Sequence, residues 1–189
     1  MSSWNNYVTT TAQHKAGKSV AKSGGNYQDH AVAIRPALAN DANRVYELIR
    51  DNVTTGHLLA RSIDEVTRHV PRFFVATKNN KVVGCAELAH LSKTVTEVRS
   101  LVVDTEHRNI GIGGHLLSAL VTQAVSLRVP RVCAFTHQAR PFIHAGFSVV
   151  PHPWVPEKIA ADCQECDLFR RCHQFAVVLD LKQLSGGTA

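Results

Sequence analysis

The sequence lacks any long apolar run, and its N-terminus lacks the pattern of a leader peptide. No stretch approaches the roughly 18 consecutive apolar residues that a transmembrane helix needs. Residues 1–30 contain no basic segment followed by an apolar one, which is the pattern of a secretory signal. We therefore expect a cytoplasmic protein with no membrane partner.

Blocks of like charge and interleaved aromatic residues are also missing. The net charge is +6 and aromatic residues make up only 6% of the chain, and most of the basic residues are scattered. No nucleic-acid-binding motif accompanies them, so we expect no nucleic-acid partner. The basic balance suits a polyanionic ligand such as a nucleotide cofactor.

The cysteine content argues against a disulfide framework. There are five cysteines, an odd number in a chain expected to be cytoplasmic. Cys85 and Cys133 lie in apolar, strand-like segments, which predicts buried thiols. The other three, Cys163, Cys166 and Cys172, cluster near the C-terminus.

The chain divides into a tail and one domain. Residues 1–30 are rich in Ser, Thr, Asn, Gly and Lys and have no hydrophobic period, which predicts a mobile N-terminal tail. Residues 31–189 are enough for a single domain with a core. The hydrophobic pattern predicts strands at 31–35, 72–77, 82–90, 93–103, 131–135 and 175–181, and helices at 41–52, 111–128 and 140–145.

Local signals add detail to this order. Ser62 and Glu65 predict a further short helix that begins with a capping box. Residues 78–81 predict a hairpin turn. The strands before residue 103 are expected to be antiparallel, whereas the strand-helix-strand unit around 111–128 needs a crossover and a parallel pair. The fold class is therefore α/β or α+β, with helices and a mixed sheet in three layers.

The most specific motif is a glycine-rich loop between an apolar strand and an amphipathic helix. It reads Arg108-Asn109-Ile110-Gly111-Ile112-Gly113-Gly114. Glycines let the backbone approach a ligand closely, and the unpaired amides of a helix N-terminus attract anions. Arg108 would add a charged donor. These features predict a pyrophosphate site.

Two other phosphate-binding motifs do not fit this loop. A Walker loop needs Gly-Lys-Ser/Thr, but position 115 is His. A dinucleotide fingerprint needs a third small residue at position 116, which is Leu. A plain glycine-rich turn remains the alternative, and the downstream segment Phe142–Phe147 argues against it.

The loop and this downstream segment together resemble the GNAT acetyltransferases. Arg108-x-x-Gly111-x-Gly113 matches their acetyl-CoA motif, and Phe142-Ile143-His144-Ala145-Gly146-Phe147 matches the end of their last core helix. Residues 56–62, 97–103 and 156–166 further resemble short bacterial amino-acid N-acetyltransferases of the N-acetylglutamate synthase type.

The resemblance implies how acetyl-CoA binds. A mixed central sheet splays between its two middle strands, the pantetheine arm lies in the splay, and the pyrophosphate rests on loop amides. A homodimer is left open. The implied cofactor-binding residues are Leu101, Val102, Val103, Arg108, Asn109, Gly111, Ile112, Gly113 and Gly114.

The resemblance also suggests a general base. Glu97, in the strand that leads to the splay, would remove a proton from the acceptor ammonium through a water molecule. The alternative is an exposed strand glutamate. The general acid is open, because Tyr7, Tyr27 and Tyr46 all precede the loop. His137, Thr136 and solvent are the candidates.

An acidic amino-acid acceptor requires cations for its carboxylates. Arg61 matches a position that the family uses to hold glutamate, and Arg99 shares a strand face with Glu97. Ser100 and Gln138 complete the predicted substrate site. The expected reaction is acetylation of the α-amino group of L-glutamate, the first step of arginine synthesis. Another amine acceptor, or a module that binds acyl-CoA or zinc without turnover, remains open.

The C-terminal cysteine cluster offers four soft ligands, Cys163, Cys166, Cys172 and His173. The first pair has metal-ligand spacing, although the gap from Cys166 to Cys172 is short for a zinc ribbon. Structural zinc and a compact turn of reduced thiols are both compatible with the pattern.

Overall fold

The computed structural model describes residues 31–53 and 58–181. The predicted tail lies outside the described residues, as do Gly56 and His57 of the second resemblance. The strands are β1 (Ala33–Pro36), β2 (Phe73–Lys78), β3 (Lys81–His90), β4 (Val95–Val103), β5 (Arg131–Thr136), β6 (Ser148–Val150) and β7 (Phe175–Asp180). The helices are α1 (Ala42–Val53), α2 (Ile63–His69), α3 (Ile112–Ser126), α4 (Arg140–His144) and α5 (Pro156–Lys158), and a π-helical turn at Ile159–Cys163 continues from α5.

The predicted strands and helices are confirmed, with boundaries that shift by a few residues. Strand β6 was not predicted from the sequence. It is three residues long, lies at the sheet edge and pairs only with β7. The α5 segment was likewise missed, because its three residues are too few to show a helical period.

The helix and turn signals work largely as the sequence predicts. Ser62 accepts a hydrogen bond from the backbone amide of Glu65 at 3.1 Å, whereas the Glu65 side chain pairs with Arg61 rather than completing the capping box. Before α1, the Asp41 carboxylate accepts from the Leu38 amide at 2.7 Å. The β2–β3 turn places Asn79 and Asn80 at positive φ, which suits a two-residue hairpin loop.

A single mixed sheet has the strand order β1-β2-β3-β4-β5-β7-β6. Helix α3 covers one face, where Leu116, Leu117 and Leu120 are fully buried. Helices α1 and α2 cover the other face, packing Ile49 and Val66 on the sheet. These three layers agree with the predicted fold class, and each face buries the apolar side chains of alternating strand positions.

The sheet opens between its two central strands. Strands β4 and β5 are parallel and pair only from Val95 to Glu97 with residues 131–133. Within the described residues, the rest of β4 has no ladder partner on that side. The predicted splay is therefore present, and it leaves a V-shaped opening at the carboxyl ends of both strands.

A bulge in β4 shapes the opening. The β3–β4 register shifts between the Glu87–Arg99 and Cys85–Val102 pairs, so β4 carries an extra residue there. Ser100 adopts φ +49° at this point. The bulge turns the strand near the cleft mouth and changes which β4 residues face it.

Across the described ranges, no helix combines the length and apolarity that crossing a bilayer requires.

Candidate active site

A cleft of about 890 Å³ lies in the splay between β4 and β5. Its walls come from β4, the end of β5, the start of α4, the loop before α2 and the segment 158–168. It brings together many residues that the sequence singled out: Arg61, Glu97, Arg99, Ser100, Leu101, Val102, Val103, Arg108, His137, Gln138 and Cys166. The predicted loop residues Asn109, Gly111, Ile112, Gly113 and Gly114 follow Arg108 rather than line this cleft.

The glycine-rich loop is shaped to receive an anion. Asn109 has φ +64° and Gly111, the N-cap of α3, has φ +88°, a backbone conformation that favours glycine. Cβ atoms built at Gly111 and Gly114 would meet nothing within 4 Å. The first amides of α3 have no acceptor within the helix, and they lie at the positive end of the helix dipole. The residues present fit the pyrophosphate of acetyl-CoA.

Arg108 braces the loop in this structure. Its Nε donates to the carbonyl of Val103 at 3.1 Å, and its Nη2 donates to Asn52 Oδ1 at 2.6 Å. The guanidinium therefore ties the end of β4 to α1. It lies at the cleft wall with its charge beside the loop.

Glu97 lies in a closed ring of four charges. Its carboxylate is almost fully buried and pairs with Lys158 Nζ at 2.7 Å and with Arg99 Nε. Asp162 Oδ2 accepts from the same Lys158 Nζ at 2.7 Å and from Arg99 Nη2. The alternative of an exposed strand glutamate is therefore wrong: Glu97 is 2% exposed and lines the cleft.

The ring stabilises the charged form of Arg99. Burial alone would lower the pKa of its guanidinium, but the carboxylates of Glu97 and Asp162 outweigh this and raise the pKa above its ordinary value. Lys158 was not among the residues predicted from the sequence. Its spacing of four residues from Asp162 was the available signal, because such pairs meet on one helical face.

Arg61 belongs to a second buried network. Its Nη1 donates to Glu87 Oε2 at 2.5 Å and to Ser100 Oγ at 3.2 Å. Its Nε and Nη2 lie 2.9 and 2.8 Å from Glu65 Oε1, and Nη2 lies 2.8 Å from His69 Nδ1. The guanidinium therefore makes four hydrogen bonds and a further ion-pair contact with protein groups. Arg61 ties the loop before α2 to the β4 bulge at the cleft wall.

The end of β5 supplies polar groups but no tyrosine. His137 and Gln138 line the cleft, and the backbone N–H of Gln138 donates to Thr136 Oγ1 at 3.1 Å. Tyr46, the tyrosine within the described ranges, packs against the α1 core with Arg50 over its ring. No described tyrosine therefore lines the cleft.

The cysteine cluster does not assemble the predicted zinc site. In the described part of the chain, no group of three or more His, Cys, Asp or Glu side chains is placed to hold a metal ion. Cys163 ends the π-helical turn, Cys172 lies 3.8 Å from Gln174 Oε1, and His173 is exposed. Spacing along the chain suggested four ligands, but within the described residues their side chains are not arranged to hold a metal ion.

The other two thiols are buried as the sequence predicted. Cys85 and Cys133 have no exposed surface. Desolvation raises the pKa of each to about 12, although neighbouring cations oppose this rise. Both stay neutral at physiological pH, which marks them as core residues rather than nucleophiles.

Comparisons with known proteins agree with this geometry. The sequence model described as "Acetyltransferase (GNAT) family" matches residues 36–147. The chain is 30% identical to "Uncharacterized N-acetyltransferase CT2212" of Chlorobaculum tepidum over 78% of this chain and 96% of that protein. It is 29% identical to the amino-acid acetyltransferase of Buchnera aphidicola over 68% of this chain but only 30% of that protein.

Solved structures share the fold. Rv2747 from Mycobacterium tuberculosis, in complex with CoA and NLQ, has a TM-score of 0.69 at 24% identity and covers 79% of this chain and 99% of its own. N-acetylglutamate synthase from Neisseria gonorrhoeae, complexed with coenzyme A and N-acetyl-glutamate, has a TM-score of 0.71 at 24% identity, over 82% of this chain and 36% of its own. The splayed sheet, the glycine-rich loop and these matches together show that the chain belongs to the GNAT family and is an acetyl-CoA-dependent N-acetyltransferase.

Proposed function

We propose that this enzyme acetylates the α-amino group of a small acidic amino acid, L-glutamate, as the first step of arginine synthesis. The observation that carries this proposal is the pair of cations, Arg99 and Lys158, beside the buried Glu97 in the cleft. Both cations are paired with Glu97 and Asp162 in this structure, so they favour an anionic acceptor whose carboxylate takes the place of one of these partners.

The resemblance to amino-acid acetyltransferases supports the same acceptor. The Buchnera relative carries that name, and the Neisseria structure holds N-acetyl-glutamate. The chain spans less than a third of that Buchnera relative, so the acceptor is proposed from the site and the name together.

Acetyl-CoA supplies an activated thioester when bound. We propose that the amides of residues 109–114 hold its pyrophosphate, that the backbone of Leu101, Val102 and Val103 pairs with its pantetheine arm, and that a backbone N–H of this segment polarises the thioester carbonyl. The open ladder side of β4 beyond Glu97 has room for such an added strand.

Glu97 is the proposed base. It accepts a proton from the acceptor ammonium through a water molecule, which leaves a neutral amine to attack the carbonyl. The C–N bond forms as the C–S bond breaks, and the departing thiolate takes a proton from His137, Thr136 or solvent. Among these candidates, His137 lines the cleft wall and can donate a proton from a ring nitrogen.

Arg61, Ser100 and Gln138 complete the proposed acceptor site. Arg61 contributes by fixing Ser100 and the β4 bulge, since its own donors are already paired with protein groups.

The acceptor is tested by thiol release from acetyl-CoA with a panel of amines: L-glutamate, L-glutamine, L-aspartate, spermidine and a peptide with a free N-terminus. Release with L-glutamate at the highest kcat/KM is the expected result. A preference for spermidine or the peptide would replace the proposed acceptor, and release with none of them would indicate a binding module.

A further inference from the structure

The two carboxylates of the four-charge ring, Glu97 and Asp162, differ in their position and in their exposure to solvent. Glu97 lies on β4 with its side chain 3% exposed, whereas Asp162 lies on the π-helical turn with its side chain 30% exposed. Arg99 is also partly exposed at 26%, and Lys158 is deep at 10%. A molecule that enters the cleft therefore meets Asp162 and Arg99 first.

Asp162 Oδ2 lies where two cations converge. The same oxygen accepts from Lys158 Nζ at 2.7 Å and from Arg99 Nη2. Two charged donors that meet at one point form a site for a carboxylate oxygen, since charge-assisted bonds of this kind are the strong ones. The occupant of that point in this structure is a carboxylate of the protein itself.

We propose that Arg99 and Lys158 form the carboxylate-binding site of the acceptor, and that Asp162 is an internal carboxylate that occupies the site until the acceptor displaces it. This proposal rests on the proposed amino-acid acceptor. It adds Lys158 as a specificity-determining residue and Asp162 as a residue that competes with the substrate.

The exchange is nearly balanced in charge and hydrogen bonds. A substrate carboxylate that replaces Asp162 restores both ion pairs, so neither cation is left uncompensated. Asp162 then turns toward the solvent, where water hydrates its carboxylate. Its carrier, a single π-helical turn, is a kind of element that is often found at functional sites.

Glu97 remains in place during this exchange. It keeps its bonds to the far sides of the same two cations, through Oε1 to Lys158 and Oε2 to Arg99. The acceptor carboxylate is thereby held next to the proposed base, which places its α-amino group within reach of Glu97. The alternative role for Asp162 is to bind the acceptor ammonium directly.

These two roles of Asp162 predict opposite effects of Asp162→Asn. If Asp162 competes with the substrate, the neutral amide weakens the internal occupant, and the KM for the accepted amino acid falls. If Asp162 holds the ammonium, the KM rises. When an internal contact closes a site in 90–99% of molecules, its removal lowers the apparent dissociation constant by roughly 10- to 100-fold.

The experiment measures binding of glutarate, a dicarboxylate without an amine, by calorimetry on the full chain. We expect Asp162→Asn to bind glutarate about 10-fold more tightly than the wild type, the lower end of that range. We expect Lys158→Gln to bind it at least about 10-fold more weakly, the loss that one ion pair to a buried cation represents. Asp167→Asn removes the same charge from the same wall. Among the described residues, Asp167 forms no ion pair with either cation, and this control should bind glutarate as the wild type does.

Unchanged or weaker glutarate binding by Asp162→Asn would overturn the proposal. Thermal unfolding of each variant separates lost binding from lost folding. Because glutarate binding needs no turnover, the result is independent of the amine panel. A wrong acceptor identity would appear in that panel alone, with the tighter binding of glutarate by Asp162→Asn still present.

Discussion

Arg61 and Glu87 form an ion pair inside the protein, with 2.5 Å between Arg61 Nη1 and Glu87 Oε2. Their side chains are 8% and 0% exposed, and they lie 26 residues apart in the chain. Glu87 Oε1 has no hydrogen-bond partner, although His69 Nδ1 lies 3.3 Å away, because that nitrogen also faces an Arg61 donor. The pair therefore ties the loop before α2 to strand β3 at the cleft wall. It also leaves one buried carboxylate oxygen of Glu87 without a hydrogen bond.

Breaking this pair should destabilise the fold. Removing one partner of a buried ion pair costs about 3–5 kcal/mol. For Glu87→Gln, which keeps the side-chain volume, we expect a loss near the lower end, about 3 kcal/mol, because Glu65 still pairs with Arg61. Urea unfolding measures the difference.

The matched control for Glu87→Gln is Asp51→Asn. Asp51 pairs with Arg50 on the surface, where both side chains are more than half exposed. An exposed pair contributes about 0–1 kcal/mol. Similar losses of unfolding free energy in the two variants would show that the buried pair contributes no more to stability than the exposed pair does.

Local patterns in the sequence predicted most of the fold, but not the charge networks. The short apolar runs of β2 and β3 and the glycines after Arg108 are signals within one segment, so they could be recognised directly. Strand β6 has three residues and depends on β7 to form its ladder. So short a strand has no periodicity of its own to detect.

The acceptor site required information that no single segment carries. Glu87 and Arg61 meet only because the strand register and the bulge at Ser100 bring them together. Lys158 reaches Glu97 from a turn 61 residues further along the chain. The predicted cysteine ligands had suggestive spacing, but their side chains do not converge. Spacing along the sequence predicts which side chains are neighbours within a helix or strand, but it does not predict where turns place them.

The glycine-rich loop gives a prediction in which stability and cofactor affinity move in opposite directions. Gly114 lies in the first turn of α3, and an added Cβ would meet nothing within 4 Å. Gly114→Ala should therefore raise the free energy of unfolding by up to about 1 kcal/mol, because alanine loses less backbone entropy in a helix. The same methyl group would enter the space proposed for the pyrophosphate.

We therefore expect Gly114→Ala to raise both the melting temperature and the KM for acetyl-CoA. Ser118→Ala, one turn further along α3, tests the helix without the loop and should leave this KM unchanged. A Gly114→Ala enzyme with an unaltered KM for acetyl-CoA would argue against pyrophosphate binding at these amides.

Asp41 makes the stability of the N-terminal part depend on pH. Hydrogen bonds from Arg35 at 2.6 and 3.0 Å, and from the Leu38 amide, outweigh burial and lower the pKa of this carboxyl below its ordinary value of 3.8. A lowered folded-state pKa stabilises the fold at pH values above 3.8, and this contribution is lost as the pH falls through the folded-state pKa.

Asp41→Asn should therefore cost about 1.5–3 kcal/mol at pH 7, the range for hydrogen bonds to a charged group. The difference in unfolding free energy between Asp41→Asn and the wild type should become smaller as the pH falls from 5 to 3. Denaturant unfolding at several pH values measures it, with Asp64→Asn on the surface of α2 as the control. A gap that stays constant down to pH 3 would contradict the role of the charged form.

Glu97 provides the sharpest test of the chemistry. Glu97→Gln keeps the size of the side chain and can still accept from Lys158 or Arg99, but it cannot take a proton. General base catalysis contributes about 10²–10⁴-fold, so kcat should fall by that factor. The KM for acetyl-CoA should change little, because the proposed cofactor contacts lie on residues 101–114.

A structural role alone would predict a different outcome for Glu97. If the carboxylate only balanced Arg99 and Lys158, Glu97→Gln would lower the melting temperature and leave kcat within a few-fold of the wild type at temperatures where the protein is folded. Glu97→Asp keeps the charge but shortens the reach. Partial activity in Glu97→Asp together with its near absence in Glu97→Gln would identify proton transfer, rather than charge balance, as the contribution of this residue.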